Sequence, residues 1–183
     1  RGADSYPLKY EYNSFGEIIS YTDGNGNTTK FIRDNSGRIT KRIWPDGSTV
    51  KFQYGKFNLL KKKIEADRIT EYSYDDWNRL SKTVISEGQN SIITKYKYNK
   101  KKKLQSITQI DTSTGEKSTL KYTYSDWGRL LSETGPTGTV KYQYNCMGLL
   151  SKMSFSAKDT KTKSSFSTKY VYDQLERVVE ITS

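Results

Sequence analysis

Aromatic, polar and aliphatic positions follow one pattern that recurs eight times between residues 9 and 182. In the segment from Tyr122 to Leu130, two tyrosines separated by one residue are followed by a short polar stretch, a glycine and an aliphatic residue. We number each unit from this glycine, which is position 0. The occupants of position 0 are Gly16, Gly37, Asn58, Asn78, Lys102, Gly128, Gly148 and Glu176.

Three hydrophobic columns flank position 0. Position −6 is aromatic in all eight units, position −4 is Tyr in all units except the second, which has Arg33, and position +2 is always aliphatic. The alternation of apolar and polar residues over such short runs predicts half-buried β-strands. The Tyr column at position −4 comprises Tyr12, Tyr54, Tyr74, Tyr98, Tyr124, Tyr144 and Tyr172.

Between the two strands of each unit, the polar residues predict a tight turn. Asp, Asn or Ser is favoured at the first position of a type I turn, and Gly is favoured where φ must be positive. If position 0 is the left-handed residue of a three-residue hairpin loop, position −4 lies opposite position +2. The first turn position reads Asn13, Asp34, Gly55, Asp75, Asn99, Ser125, Asn145 and Asp173.

A second set of turn-forming segments marks the connections between one predicted hairpin and the next. It reads Asp23–Gly26, Pro45–Ser48, Glu87–Gly88, Thr114–Gly115 and Gly135–Gly138. We therefore predict an all-β antiparallel meander of about sixteen short strands. Open sheets of more than about ten strands usually curl, so we expect an open spiral or partial β-shell. The predicted single domain, residues 1–183, has units at 9–29, 30–50, 51–70, 71–94, 95–120, 121–140, 141–168 and 169–183.

The composition argues against the commonest catalytic sites. The chain has no His and one Cys, which excludes Ser-His-Asp and Cys-His centres, His-ligated zinc and an intrachain disulfide. Adjacent acids such as Asp75 and Asp76 point apart in a strand or turn, and no second acid recurs at the fixed distance that glycoside hydrolysis needs. We expect no enzyme activity, no metal and no cofactor.

Charge suggests one candidate binding surface. Lys+Arg number 31 against 20 Asp+Glu, a formal net charge of +11. Position −7 is Lys in all units except the fourth, which has Glu71. Because it is an odd number of residues from the tyrosines, we expect it on the opposite face of the strand. We expect position +1, which is often Arg, on that same face. This column is either a solvated face that keeps the sheet soluble or a surface for polyanions such as acidic glycans. Its members are Lys9, Lys30, Lys51, Lys95, Lys121, Lys141 and Lys169.

Tryptophans suggest a second candidate surface. Trp77 and Trp127 both occupy position −1, at the hairpin tips, and Trp44 precedes Pro45 in a turn of the second set. Exposed aromatic rings could stack on sugars; packing over the neighbouring hairpin is the alternative. Nucleic acid is disfavoured as a partner because the aromatics that would stack on bases lie mainly on the packed face.

The frame Tyr-x-Tyr-(Asp/Asn)-x-x-Gly-Arg-Leu, as in Tyr72–Leu80 and Tyr122–Leu130, resembles the Rhs or YD-repeat family. That resemblance implies a large bacterial secreted or surface protein in which repeats coil into a hollow β-shell around a cargo. We therefore expect a scaffold or part of a shell; the alternative is a glycan- or polyanion-binding module. The partners implied are other segments of a larger protein, its cargo, an acidic glycan or cell-wall polymer, or a second sheet edge.

Two features of the family are missing. The Asp-Pro-x-Gly-Leu type of motif linked to self-cleavage does not occur, and no divergent toxin segment follows the last repeat. We therefore do not expect autoproteolysis or toxin activity from these residues. Because eight repeats are few for a closed shell, we expect a fragment or a small open spiral. No apolar run has the length of about 20 residues that crosses a membrane.

Overall fold

The predicted all-β meander is confirmed. A computed structural model describes residues 7–158 and 164–183. Sixteen antiparallel strands form one open sheet, and their order in the sheet is their order in the chain. The strands are β1 (Lys9–Tyr12), β2 (Ile18–Thr22), β3 (Thr28–Arg33), β4 (Ile39–Ile43), β5 (Thr49–Tyr54), β6 (Leu60–Glu65), β7 (Arg68–Tyr74), β8 (Leu80–Glu87), β9 (Asn90–Tyr98), β10 (Leu104–Asp111), β11 (Lys117–Tyr124), β12 (Leu130–Thr134), β13 (Gly138–Tyr144), β14 (Leu150–Ala157), β15 (Ser165–Tyr172) and β16 (Val178–Thr182).

The chain divides into two compact units, Arg1–Ile92 and Ile93–Ser183. The first contains β1 to β8 and the start of β9. The second contains the rest of β9 and β10 to β16. Both units are built from the same hairpin, in which an odd-numbered strand pairs with the even-numbered strand that follows it.

The predicted turn is confirmed at seven of the eight hairpin tips; at the third, Lys56–Asn58 form a short 3-10 turn in which Phe57 also has positive φ. In the first hairpin, the Asn13 amide donates to the Glu17 carbonyl, and the Gly16 amide donates to the Asn13 carbonyl at 3.0 Å. All eight residues at position 0 have positive φ, including Lys102 and Glu176, both at 61°. The chain geometry therefore requires the left-handed conformation at this position even where the sequence supplies a long side chain.

Strand register follows from the turn. Tyr12 lies opposite Ile18, and Tyr144 lies opposite Leu150. A register shift next to each such tyrosine marks the β-bulge expected beside a left-handed residue in a hairpin loop. The predicted pairing of positions −4 and +2 holds in the remaining hairpins for which the register is given: Arg33 with Ile39, Tyr54 with Leu60, Tyr74 with Leu80, Tyr124 with Leu130 and Tyr172 with Val178.

The core of this sheet is thin. Among the described residues, Val50 is the buried hydrophobic side chain, while Ser20, Thr29, Thr70 and Thr83 are buried polar residues. In β5 to β15 the tyrosines of positions −6 and −4 are half-buried, whereas the lysines of position −7 are exposed. One face thus carries partly covered rings and the other carries solvated lysines, as the alternation predicts.

Two turns between hairpins differ from the sequence prediction. Trp44, rather than Pro45, begins its turn, because the Trp44 amide donates to the Ser48 carbonyl. A two-residue turn at Ala66 and Asp67, with Ala66 at φ 39°, joins β6 to β7 and was not predicted. Its residues carry no Gly, Asn or Pro signal.

Candidate functional site

Successive hairpins are joined by the hydroxyl groups of the Tyr column at position −4. Five of these hydroxyls each donate a hydrogen bond to the backbone carbonyl of position +2 in the preceding hairpin, at 2.9 Å. A phenol is suited to this contact because its ring packs on the sheet while its hydroxyl reaches a partner. The pairs are Tyr54 with Ile39, Tyr74 with Leu60, Tyr124 with Leu104, Tyr144 with Leu130 and Tyr172 with Leu150.

Arg33, the exception in the Tyr column, makes the same link. Its Nη2 donates to the Ile18 carbonyl oxygen at 3.1 Å, and its Nε donates to the same oxygen at 3.3 Å. Its Nη1 donates to the Gly37 carbonyl at 2.7 Å. In each of these links, position −4 provides a long side chain with a hydrogen-bond donor at its end. Tyrosine and arginine both meet this requirement.

The polar residue at the first turn position caps the hairpin tip. Asp75 Oδ1 accepts hydrogen bonds from the backbone amides of Trp77 and Arg79, at 3.0 and 2.9 Å. Its Oδ2 accepts from Nε of Arg79 at 2.8 Å and lies 2.6 Å from Nη2. Asp34 with Arg38 and Asp173 with Arg177 repeat this arrangement.

These contacts shift the acidity of the capping carboxyls. The hydrogen bond from the Arg79 guanidinium is the main cause that lowers the pKa of Asp75 below its ordinary value. The pKa of Asp34 is lowered mainly by Arg38 in the same way. For Asp173 the backbone amide of Arg177 is the first cause that lowers the pKa and its side chain the second. The Asp residues of this column are therefore turn caps and partners of arginine, both of which favour the ionised carboxylate.

The arginines at position +1 correct one expectation. The sequence placed them on the lysine face, but the Arg38 guanidinium lies 4.8 Å from the ring centroid of Tyr54, and that of Arg129 lies 5.7 Å from the ring of Tyr144. They stack on the tyrosines of the next hairpin, within cation–π distance. The charges of Arg38 and Arg129 therefore lie beside tyrosine rings and, for Arg38, beside the Asp34 carboxylate, rather than among the lysines of position −7.

The predicted Lys column lies as expected on the exposed side of its strands: Lys9, Lys30, Lys51, Lys95, Lys121, Lys141 and Lys169 are all exposed. Some of the surrounding charges are alike, since Lys41 lies opposite Lys51 and Lys152 lies opposite Lys169. Glu71, the exception, forms an ion pair with Lys62 at 3.1 Å.

The three tryptophans differ in exposure. Trp127 is 89% exposed and Trp77 is 66% exposed, both at hairpin tips. Trp44 is 39% exposed, lies in a turn of the second set, and is covered in part by the Arg42 guanidinium 5.0 Å from its ring centroid.

Beside Trp127 lies an open groove of about 510 Å³ between two neighbouring hairpin tips. Lys101 Nζ crosses it and contacts Asp126 Oδ1 at 2.8 Å. Lys100 and Lys103 line the same groove, so cations outnumber the one carboxylate. Among the described residues, no cluster of His, Cys, Asp or Glu could hold a metal, and none of the helical structure there has the length and hydrophobicity of a membrane span.

Residues 12–49 match the family model described as RHS Repeat. This segment is therefore similar to an RHS repeat. The matched segment holds the first two hairpin tips and the link from Arg33 to Ile18, so the resemblance drawn from the Tyr and Gly columns is confirmed.

Two relatives contain sequence similar to these RHS repeats. The chain is 28% identical, over 76% of its length, to a double-stranded DNA deaminase toxin A of Burkholderia cenocepacia, and it spans 11% of that protein. It is 30% identical, over 93% of its length, to a tRNA3(Ser)-specific nuclease WapA of Bacillus spizizenii, and it spans 8% of that protein. The chain thus matches a small part of each relative.

Solved structures show the same fold. A crystal structure of TcdB2-TccC3 without the hypervariable C-terminal region superposes on 94% of the chain with a TM-score of 0.80 at 18% identity. A crystal structure of TcdB2-TccC3-TEV gives a TM-score of 0.79 at 17% identity, again over 94% of the chain. The chain covers 10% of each of those chains, so a sheet with this fold forms a segment of much larger proteins.

Sequence reasoning missed the Asp–Arg pairs of the RHS repeats. A signal was present, because every unit that has Asp at the first turn position also has Arg four residues later: Asp34 with Arg38, Asp75 with Arg79, and Asp173 with Arg177. The link between the Tyr hydroxyl and the carbonyl had no such signal, since its acceptor is backbone.

Proposed function

We propose that this chain is a non-catalytic scaffold, forming part of an encapsulating shell in a secreted or cell-surface RHS/YD-type protein. The observation that carries the proposal is the link from position −4 to the preceding hairpin, which recurs with five tyrosines and with Arg33. The repeat uses its recurrent polar groups to hold its own hairpins together. Residues arranged in this way build a surface and leave few groups for chemistry.

The relatives support this role by their size. Deaminase and nuclease activities are named for proteins of which the chain spans 11% and 8%. We propose that the RHS repeat segment contributes structure to such proteins and that any activity belongs to other segments. Secretion or surface display is part of the same proposal, because it is what the family resemblance implies.

Limited proteolysis of the longer protein that contains these repeats tests the scaffold role. In the double variant Tyr124→Phe/Tyr144→Phe, two links between hairpins are lost, and we expect segments enclosed by the repeats to be cut sooner than in the unsubstituted protein. Tyr142→Phe is the matched control, because the Tyr142 hydroxyl has no hydrogen-bond partner within the described residues. Equal cleavage rates for the double variant and the control would contradict enclosure.

A second candidate function is the binding of an acidic glycan, through the exposed Lys column or the hairpin-tip aromatics. The observation that favours it is the groove at Trp127, where an exposed indole lies beside Lys100, Lys101 and Lys103. A ring for stacking and cations for a carboxylate are the groups such a ligand needs. The comparisons give this function no support.

Glycan-array screening separates the two functions. A saturable signal for an acidic saccharide that is lost in Trp127→Ala and kept in Trp77→Ala would establish binding in this groove. Retention on heparin-agarose above about 0.5 M salt would point instead to the Lys column, since exposed charges are strongly screened at that ionic strength. If neither assay gives a saturable signal, the binding function is contradicted and the scaffold function is the one that remains.

A further inference from the structure

One carboxylate of the chain itself already lies in the groove beside Trp127. Lys101 Nζ donates to Asp126 Oδ1 at 2.8 Å and to the backbone carbonyl oxygen of the same residue at 3.3 Å. Lys101 belongs to the tip of the fifth hairpin and Asp126 to the tip of the sixth, so their ion pair bridges the groove. The groove therefore holds a carboxylate bound to an ammonium group, next to an exposed indole.

The Asp126 carboxylate has no part in forming its own turn. At this tip the capping group is Ser125, whose hydroxyl oxygen accepts a hydrogen bond from the Arg129 amide at 3.1 Å. Within residues 7–158 and 164–183, Lys101 is the one hydrogen-bond partner of the Asp126 carboxylate, and it lowers the pKa of that carboxyl. The Asp126 side chain is 96% exposed and that of Lys101 is 59% exposed. Because so exposed an ion pair adds little to stability, a ligand can displace it.

The remaining groups of the groove suit a ring that carries a carboxylate. Lys100 and Lys103 line the groove as well, and Asp126 is the one carboxylate among the lining residues. Lys103 lies close over Gly128, where a methyl group on the glycine would lie 3.2 Å from Lys103 Cε. The exposed Trp127 indole stands on the same tip as Gly128. An acidic saccharide would find an ammonium group for its carboxylate and an indole for its ring.

The fourth hairpin repeats this tip without the lysine. Asp76 and Trp77 occupy positions −2 and −1, as Asp126 and Trp127 do in the sixth. Position −1 of the hairpin before is Phe57, where the groove has Lys101, and Asp76 forms no ion pair with any residue that the structure describes. An Asp-Trp sequence at a tip is thus not sufficient to hold an ammonium group, because the lysine comes from the neighbouring hairpin.

We propose that Asp126 is an internal competitor in this groove: its carboxylate takes the place, on the Lys101 ammonium group, of the carboxylate of an acidic saccharide. When the saccharide binds, its carboxylate replaces that of Asp126 on Lys101, its ring lies on the Trp127 indole, and the Asp126 side chain turns to solvent. This inference rests on the second candidate function proposed above, and adds to it the residue that limits affinity.

NMR titration of the Trp127 indole N–H signal tests the competitor role, with trigalacturonate as the acidic probe and its methyl ester as the uncharged one. Asp126→Asn removes the competing charge and is expected to lower the dissociation constant for trigalacturonate about two- to fivefold, the size expected of an exposed ion pair. The dissociation constant for the methyl ester should not change. Asp76→Asn is the matched control, because it removes the same charge beside the other exposed tip tryptophan, and it should change neither value.

A double-variant cycle separates direct competition from a general effect of charge. In a Lys101→Met background, Asp126→Asn releases no ammonium group, so the gain in affinity should disappear. The Trp44 indole signal, which should stay in place, shows that each variant is folded. Unchanged or weaker binding in Asp126→Asn, or the same gain with and without Lys101, would overturn the competitor role and leave the binding function in place. No shift of the Trp127 signal with trigalacturonate in any variant would contradict the binding function and this proposal with it.

Discussion

The Arg33 guanidinium donates to the Ile18 carbonyl in the place where tyrosine hydroxyls donate in five later hairpins. Tyrosine and arginine at position −4 thus share a donor at the end of a long side chain, and we interpret that donor as the role of this position. Ring packing comes with tyrosine but is absent from Arg33, whose guanidinium instead adds a bond to Gly37.

Substitutions at Arg33 test this interpretation. Arg33→Met removes the donors and is expected to lower the free energy of unfolding by about 1.5–3 kcal/mol, the range for hydrogen bonds to charged groups. Arg33→Tyr restores the bond to Ile18 but not the bond to Gly37, so we expect it to recover about half of that loss. Urea unfolding followed by tryptophan fluorescence measures both. If Arg33→Tyr is no more stable than Arg33→Met, donation to Ile18 is not the role of this position.

Removing one tyrosine hydroxyl has a smaller expected effect. Tyr144→Phe leaves the Leu130 carbonyl without its donor and is expected to cost about 0.5–1.5 kcal/mol. Tyr142→Phe, two residues earlier on the same strand, is expected to be close to neutral. Urea denaturation of the two variants measures both free energies of unfolding. Equal decreases would show that the hydrogen bond of the Tyr144 hydroxyl does not contribute to stability.

Left-handed residues other than glycine offer stabilising substitutions. Lys102 and Glu176 hold φ near 61°, a conformation that costs an L-residue roughly 1 kcal/mol relative to glycine. Lys102→Gly and Glu176→Gly should therefore raise the free energy of unfolding by about 0.5–1 kcal/mol. Gly16→Ala should lower it, although no atom lies within 4 Å of the added methyl group, because the strain is in the backbone. Thermal unfolding monitored by circular dichroism measures all three, and a destabilised Lys102→Gly would contradict the strain argument.

The turn carboxyls predict a defined dependence on acid. The pKa values of Asp34, Asp75 and Asp173 are lower in the folded chain than the ordinary Asp value near 4. Their stabilising contribution is complete above that ordinary value and is lost as the pH falls through the lower folded pKa. We therefore expect the free energy of unfolding to fall as the pH is lowered below about 5.

NMR titration of the Asp75 carboxyl checks the cause of this shift. Arg79→Gln removes the main cause, so the pKa of Asp75 should rise toward its ordinary value, while the pKa of Asp34 should stay low. An unchanged Asp75 titration in Arg79→Gln would show that the backbone amides alone hold the carboxylate.

The hairpins, their tips and their register could be predicted from sequence because each depends on residues close together in the chain. Asn13, Gly16 and Ile18 lie within six residues and specify one turn. The acceptor of each tyrosine hydroxyl could not be predicted, since it is a backbone carbonyl 14 to 22 residues away. The prediction that Arg38 lies on the lysine face was wrong for a related reason: its ring partner, Tyr54, belongs to the next hairpin.

At six boundaries between hairpins, position +4 of one unit lies opposite position −7 of the next, as Ser132 lies opposite Lys141. This constant pairing means that the sheet can change length by whole hairpins. A whole hairpin could be deleted or duplicated while every other residue kept its face and its opposite neighbour. A gain or loss of one residue within a strand would instead turn all later side chains to the wrong side. Insertions should therefore accumulate in the turns between hairpins, and proteins of this kind should differ from one another by whole hairpins.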